Sequence, residues 1–169
     1  MATTLRLPLL FYVEDNGYGI SVRSELQTPG GNIAANLASF ANLTILDGDG
    51  TDPREAASLT ERAVALVRSA QGPVLLRLTV PRLCGHSGQD TQAYKSSDVV
   101  ALEKSRDPIM QLQKALVPGE MSASEWSRTF QNSRSGIDSA AWHGSTRPMG
   151  VTLSERRPQP PTQGLGKRA

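Results

Sequence analysis

Hydrophobic and polar positions alternate in blocks that predict three short strands. Nearly continuous apolar runs occur at residues 7–13 (LPLLFYV), 43–46 (LTIL) and 74–80 (VLLRLTV). Runs of this length without internal alternation are typical of parallel strands covered on both faces. Each run ends in a polar segment that contains glycine, and we expect these segments to be loops.

Helical periodicity fills the segments between the strands. After Asn32, a candidate N-cap, apolar residues recur at helical spacing as far as residue 40. A stronger pattern starts at Asp52, which can cap a helix, and Pro53, which suits the first helical position. Glu55 stands where a capping-box acid belongs, and a Gly-Pro pair at residues 72–73 ends the pattern.

The element order β-α-β-α-β predicts an α/β fold with a parallel sheet and right-handed crossovers. Further helices should begin at Ser97 or Asp98 and at Asp107. Carboxyl ends of parallel strands lie on one edge of the sheet, where open α/β sheets bind ligands. The three loops expected at this edge are residues 14–19 (EDNGYG), 47–52 (DGDGTD) and 82–90 (RLCGHSGQD).

Charge divides the chain into an acidic domain, residues 1–126, and a basic tail, residues 127–169. The domain carries 11 Lys and Arg against 14 Asp and Glu, and the tail carries 7 against 2. The tail lacks periodicity and is rich in Pro and Gly, so we predict that it is disordered. Its few aromatic residues do not alternate with the basic ones in the way that base-stacking surfaces require, and we expect no nucleic-acid partner. No apolar run suits a membrane span, and the single Cys84 fits a reducing compartment, so we expect a cytoplasmic protein.

Asn16 is the candidate metal ligand of the first loop. A carboxamide oxygen is a hard, neutral ligand that suits Mg²⁺, and Gly17 lets the backbone turn so that the carbonyl of Tyr18 can join it. The alternative is an Asp-Asn-Gly turn without a ligand, and the residues alone leave both open. His86 in the third loop is either a solvated residue or a donor to a phosphate or oxyanion.

The second loop resembles the start of a calcium-binding loop, with Asp47 and Asp49 as first ligands. The pattern then fails, because Asp52 stands where glycine is needed and Ser58 where glutamate is needed. We therefore reject a calcium site in this loop.

Several of these segments together resemble a known family. They are LPLLFYVEDNGYGIS, GDGTDPREA, GPVLLRLTVPRLCGHSGQD and RDPIMQLQKALV. In this order they are similar to the α part of the E1 component of thiamine-diphosphate-dependent 2-oxoacid dehydrogenases, the group of the pyruvate and branched-chain enzymes. The resemblance runs from Leu7 to Trp126 and implies half of a thiamine-diphosphate-binding fold.

The resemblance also implies roles for single residues. The side chain of Asn16 and the carbonyl of Tyr18 would bind Mg²⁺, with Gly17 in the same cofactor loop. Asp15 stands where the family more usually has an asparagine. His86 would lie beside the thiamine diphosphate as a catalytic and cofactor-binding residue. Ser87, next to it, matches a serine phosphorylated in mitochondrial relatives, a regulation that we do not assume here.

The first half of the family's cofactor motif would have to precede Leu7, so the resemblance is to the C-terminal part of the E1 α region alone. We therefore expect a truncated or frameshifted fragment, inactive by itself, of an enzyme that decarboxylates a 2-oxoacid and passes the acyl group to lipoyl-bearing E2. The implied partners are the E1 β part, E2 and the 2-oxoacid. Two alternatives remain open: a non-catalytic remnant that serves binding or assembly, and, with less support, a transketolase relative.

Overall fold

The computed structural model describes residues 1–145. The chain divides into two compact units, and the boundary follows Ala123. The strands are β1 (Leu10–Asp15), β2 (Tyr18–Gly19), β3 (Val22–Arg23), β4 (Thr44–Asp49) and β5 (Val74–Thr79). The helices are α1 (Ile33–Asn36), α2 (Pro53–Arg68), α3 (Ser97–Ser105), α4 (Pro108–Leu116) and α5 (Ala123–Ser145). No helix within residues 1–145 is long and apolar enough to cross a bilayer.

A three-stranded parallel sheet organises the first unit, and it confirms the predicted α/β fold. The strand order is β1-β5-β4, so the strand that comes last in the chain lies in the centre. The register aligns Asp15 with Thr79 and Asp49 with Thr79, so all three strands end level. The loops that follow them therefore start at one edge of the sheet.

The core lies between this sheet and α2. Leu76 and Leu78 of β5 are 0% and 2% exposed, and they pack with Leu46 of β4 and Ala63 of α2. Burial of each of these leucine side chains contributes about 1.5–3 kcal/mol to the free energy of unfolding. Gly48 completes the contact, because a Cβ there would collide with the Leu59 side chain of α2.

The start of α2 follows the sequence prediction in part. The Asp52 carboxylate accepts hydrogen bonds from the amides of Arg54 and Glu55, and Pro53 is the first helical residue. The Glu55 side chain differs from a capping-box acid, since it accepts from the Asp49 amide at 3.2 Å. It therefore fastens the end of β4 to the helix.

Strand β1 is less covered than predicted. Phe11 and Tyr12 are 41% and 49% exposed, whereas coverage on both faces was expected. The physical reason is its position at the edge of the sheet, because only β5 pairs with it. Asn32 caps α1 as predicted, by accepting from the Ala35 amide, but α1 ends at Asn36 instead of running to residue 40.

The second unit differs from the sequence prediction. Residues 127–145 were expected to lack regular structure, yet they belong to helix α5, which crosses the predicted boundary at residue 126. Trp126 and Phe130 lie one turn apart with ring centroids at 6.4 Å, a side-chain pair that supports a helix. The rest of the predicted disordered tail, residues 146–169, lies outside the described residues.

Candidate functional site

The edge where the three parallel strands end carries an ion-pair bridge. Arg77 of β5 donates from Nε to Asp15 Oδ2 at 2.8 Å and from Nη1 to Asp47 Oδ1 at 2.8 Å, and its side chain is 10% exposed. Burial alone lowers the pKa of Arg77, but the hydrogen bonds to the two carboxylates outweigh this and raise the pKa above its usual value. One cation on the central strand thus links both outer strands.

The loop after β1 is a compact turn fixed by its own side chains. Asp15 Oδ1 accepts from the Gly17 amide at 3.0 Å, and Asn16 Oδ1 accepts from the Tyr18 amide at 3.1 Å. Gly17 has φ +75°, a left-handed conformation that favours glycine. The Asn16 oxygen keeps a second lone pair beyond the one used in this turn, so the turn and the metal-ligand interpretations are compatible.

The Tyr18 ring joins the first loop to the third. Lys95 Nζ lies 4.7 Å from the ring centroid and Arg82 Cζ lies 5.8 Å from it, both within cation–π range. The Tyr94 ring lies 5.6 Å away, tilted by 54°. The Arg82 guanidinium also donates to the backbone carbonyl of Ile20. Backbone and ring contacts therefore hold the segment after Asn16 against the segment after β5.

Lys95 is the anchor of this contact. Its side chain is 0% exposed, and Nζ donates to Glu103 Oε2 of α3 at 2.6 Å and to the Arg82 carbonyl at 2.9 Å. A buried ammonium requires such partners. Sequence reasoning missed this residue, because a lysine that follows an aromatic residue in a loop carries no distinctive signal.

The loop that contains His86 is organised by Asp90. The Asp90 carboxylate accepts from the His86 amide at 2.7 Å, from the Gln92 amide at 2.8 Å and from the Tyr94 hydroxyl at 3.1 Å. The hydrogen bond from the His86 amide is the main reason that the pKa of Asp90 lies below its usual value. The His86 residue itself is exposed.

A cavity of about 300 Å³ opens at the carboxyl edge beside the first loop. Its lining includes Asp15, Asn16, Gly17, Tyr18, Arg23, Arg77, Glu103 and Arg106. The structure therefore brings three predicted site residues together in one cavity. It does not bring His86 there, since that residue is outside the cavity lining.

The carboxylates of the second loop, Asp47 and Asp49, are engaged in hydrogen bonds and ion pairs within the chain. Asp47 binds Arg77, and Asp49 accepts from Thr51 and from Arg106 Nη2 at 3.2 Å. Burial raises the pKa of Asp49, but the hydrogen bonds from Thr51 outweigh it and leave the pKa below its usual value. Both carboxylates are therefore engaged within the chain.

Within residues 1–145, no three His, Cys, Asp or Glu side chains are grouped so that they could hold a metal ion. The cavity lining includes Asn16 and Tyr18, which offer a carboxamide oxygen and a backbone carbonyl. These are hard, neutral donors, and Mg²⁺ accepts such ligands when phosphate oxygens and water complete its six. The residues therefore fit one part of a magnesium–phosphate site.

Comparison with known proteins decides the family. The sequence matches the dehydrogenase E1 component family over residues 1–147. The chain belongs to this family. The pyruvate dehydrogenase E1 component subunit alpha of Rhizobium meliloti is 36% identical over 120 residues, which cover 69% of this chain and 33% of that protein.

Two further relatives agree. The pyruvate dehydrogenase E1 component subunit alpha of Zymomonas mobilis is 27% identical over 150 residues, 88% of this chain and 42% of that protein. The 2-oxoisovalerate dehydrogenase subunit alpha of Caenorhabditis elegans is 35% identical over 116 residues, 67% of this chain and 26% of that protein. The chain thus spans between about a quarter and two-fifths of the length of these relatives.

The predicted resemblance to a 2-oxoacid dehydrogenase E1 α region is therefore confirmed. Dehydrogenase E1 components are oxidoreductases, and in general they depend on thiamine diphosphate.

Proposed function

We propose that this chain is the part of a thiamine-diphosphate-dependent 2-oxoacid dehydrogenase E1 α region that supplies one side of the magnesium–diphosphate site. The observation that carries the proposal is the Asn16 turn at the cavity. Its carboxamide oxygen is held by the Tyr18 amide at 3.1 Å, at the sheet edge where α/β folds bind ligands. A fixed ligand oxygen costs less entropy on metal binding than a mobile one.

In this proposal Asn16 Oδ1 and the Tyr18 carbonyl hold Mg²⁺, and Gly17 provides the turn between them. Both ligands are neutral, so the diphosphate and groups outside these residues supply the negative charge and the remaining oxygens. The cofactor supplies the carbanion chemistry of decarboxylation, and the protein supplies position and electrostatics.

His86 takes the catalytic role in the proposal. Its exposed position on a loop fixed through the Asp90 carboxylate suits a donor to a bound phosphate or a developing oxyanion. Because His86 does not line the cavity, we expect it to act only after the E1 β part has closed over the loop. The isolated chain is then inactive.

The proposed partners are the E1 β part, a lipoyl-bearing E2 and a 2-oxoacid, and the proposed location is the cytoplasm. The relatives are described as subunits of pyruvate and 2-oxoisovalerate dehydrogenases, which supports an acyl-forming decarboxylation. The exposed apolar side chains of β1, Phe11 and Tyr12, offer surface for an interface.

The test is a calorimetric titration of magnesium–thiamine diphosphate into the full chain with its E1 β partner. Asn16→Ala should weaken binding by at least about tenfold, the effect of losing a contact worth ~1.4 kcal/mol. Asn16→Asp, which keeps an oxygen but adds repulsion from the diphosphate, should bind with intermediate affinity. Asn36→Ala, at an exposed asparagine of α1, is the control and should match the wild type. Equal affinities for Asn16→Ala and wild type would remove the metal assignment.

A second candidate function is a non-catalytic module for binding or assembly. The observation that favours it is the incomplete ligand set within the described residues. If this function is correct, the chain binds the E1 β part with the same affinity with and without magnesium–thiamine diphosphate. A cofactor-dependent gain in that affinity would favour the enzymatic proposal instead.

A further inference from the structure

Arg77 occupies an unusual position for a charged residue. It lies in the middle of the central strand, between Leu76 at 0% and Leu78 at 2% exposure, where sequence pattern predicts an apolar core. The register places Val13 and Asp47 beside it on the two outer strands. A buried guanidinium in such a place is stable only if its donors are satisfied.

Asp15 satisfies Arg77 on one side, and both of its oxygens are in use. Oδ2 accepts from Arg77 Nε at 2.8 Å, while Oδ1 accepts from the Gly17 amide at 3.0 Å. The carboxylate therefore connects the strand cation directly to the turn that carries Asn16. An asparagine at position 15 would have only one acceptor oxygen. If that oxygen faced Arg77, the Gly17 amide would lose its acceptor, and if it faced Gly17, the side-chain NH2 group would meet the Arg77 donor. Arg77 and Asp15 are therefore matched in charge.

Asp47 satisfies Arg77 on the other side. It accepts from Nη1 at 2.8 and 3.1 Å, and its Oδ2 also accepts from Asn32 Nδ2 at 3.1 Å. Asp47 thus satisfies the Nη1 end of the guanidinium, while Asp15 accepts from Nε. The planar, rigid fork of arginine suits this task, whereas the single ammonium of lysine does not.

We propose that Arg77 is a positioning residue for the Asn16 turn. Through Asp15 it fixes the backbone from Asp15 to Tyr18, and it keeps the Asp15 carboxylate committed as an ion-pair partner and not as a metal ligand. The metal consequence rests on the proposed function of Asn16. The structural consequence, a turn whose order depends on Arg77, stands on the contacts alone.

The experiment is a double-mutant cycle on the full chain, with amide hydrogen exchange at Gly17 and Tyr18 measured by NMR. Arg77→Met, which removes the donors and keeps similar volume, should speed exchange of both amides by about tenfold, the loss of a charge-assisted hydrogen bond. Asp15→Asn should do the same when Arg77 is present. In the Arg77→Met background Asp15→Asn should add less than about twofold, because the mismatched donor is gone.

Two further variants distinguish a specific effect of Arg77 on the Asn16 turn from a general loss of folded structure. Asp47→Asn is the matched control, since it weakens the contact of Arg77 with Asp47 and leaves its contact with Asp15. Exchange of the Gly17 and Tyr18 amide hydrogens should then stay within about twofold of wild type. Arg77→Lys should give intermediate exchange, because a compact ammonium keeps the charge but lacks the planar fork that reaches both carboxylates. Far-UV circular dichroism shows whether each variant is folded. Unchanged exchange in folded Arg77→Met, or equal effects of Asp47→Asn and Asp15→Asn, would overturn the proposal.

A second readout separates this proposal from the proposed function. Water-proton relaxation with Mn²⁺–thiamine diphosphate reports metal bound to the full chain and its E1 β partner. Arg77→Met should weaken this binding by about tenfold while exchange at Gly17 rises. If wild type fails to bind the probe but exchange depends on Arg77, the metal role of Asn16 is wrong and the positioning role stands. If wild type binds and Arg77→Met changes neither readout, the positioning role is wrong.

Discussion

Replacing Lys95 with methionine tests whether the buried ammonium holds the third loop in place. The side chain is 0% exposed, and its two hydrogen bonds, to Glu103 Oε2 at 2.6 Å and to the Arg82 carbonyl at 2.9 Å, join the loop to α3. Methionine has similar length and no donor. Lys95→Met therefore leaves a carboxylate and a carbonyl without their partner and also removes the cation 4.7 Å from the Tyr18 ring.

The size of the effect follows from the burial of the two partners. Breaking a buried ion pair from one side typically costs about 3–5 kcal/mol, because the remaining charge is left uncompensated. The Glu103 side chain is 16% exposed and water can reach it, so we expect a loss of about 3 kcal/mol in the free energy of unfolding. Domains are stable by about 5–15 kcal/mol in total, so this is a large fraction.

The assay is urea unfolding of the full chain followed by circular dichroism. Lys104→Met, at an exposed lysine of α3, is the control and should change the free energy of unfolding by no more than about 0.5 kcal/mol. The double variant Lys95→Met with Glu103→Leu should recover most of the loss, since no charge is then left unpaired. A cost below about 1 kcal/mol for Lys95→Met alone would refute this reasoning.

Two further predictions concern the sheet and the His86 loop. Gly48→Ala should destabilise the chain by about 1–3 kcal/mol in thermal unfolding, because its Cβ would overlap the Leu59 side chain, whereas Gly88→Ala, with open space around it, should not. The pKa of Asp90 is lowered in the folded chain, chiefly by the hydrogen bond from the His86 amide. The ionised Asp90 therefore stabilises the fold above its unfolded pKa of about 3.9, and this stabilisation is lost as pH falls through the folded pKa. Acid unfolding of Asp90→Asn should therefore depend less steeply on pH below about 4 than that of wild type, and identical acid transitions would contradict this.

Local signals were enough to predict the scaffold. The caps at Asn32 and Asp52 and the start at Pro53 depend on residues within three positions, so single-sequence patterns contain them. The parallel sheet followed from the alternation of apolar runs with helices. The central position of β5 could not be predicted in this way, because the order of strands in a sheet is set by packing between distant segments and no local pattern records it.

The main charged contacts of the site were beyond local patterns. Arg77 pairs with residues 62 and 30 positions away in the chain, and Lys95 reaches Tyr18 across an even longer separation. A signal was present in one case: a charged residue inside the run VLLRLTV must find a partner if the run is a buried strand. The helix beyond residue 126 was missed because large apolar residues such as Trp126, Phe130 and Ile137 are sparse among polar ones.

The charged groups of the cavity wall are paired, which decides how an anion can be held there. The pairs are Arg23 with Glu25, Arg77 with Asp15, Arg106 with Asp49, and Lys95 with Glu103. A paired guanidinium attracts a phosphate less than a free one, because the partner carboxylate repels the same ligand. The Asn16 oxygen and the backbone carbonyls are neutral acceptors, which bind cations and not phosphates. Under the proposed function a divalent cation lets these neutral oxygens hold an anionic ligand, since it binds them on one side and the diphosphate oxygens on the other. The chain then holds the ligand through the metal more than through its own charges.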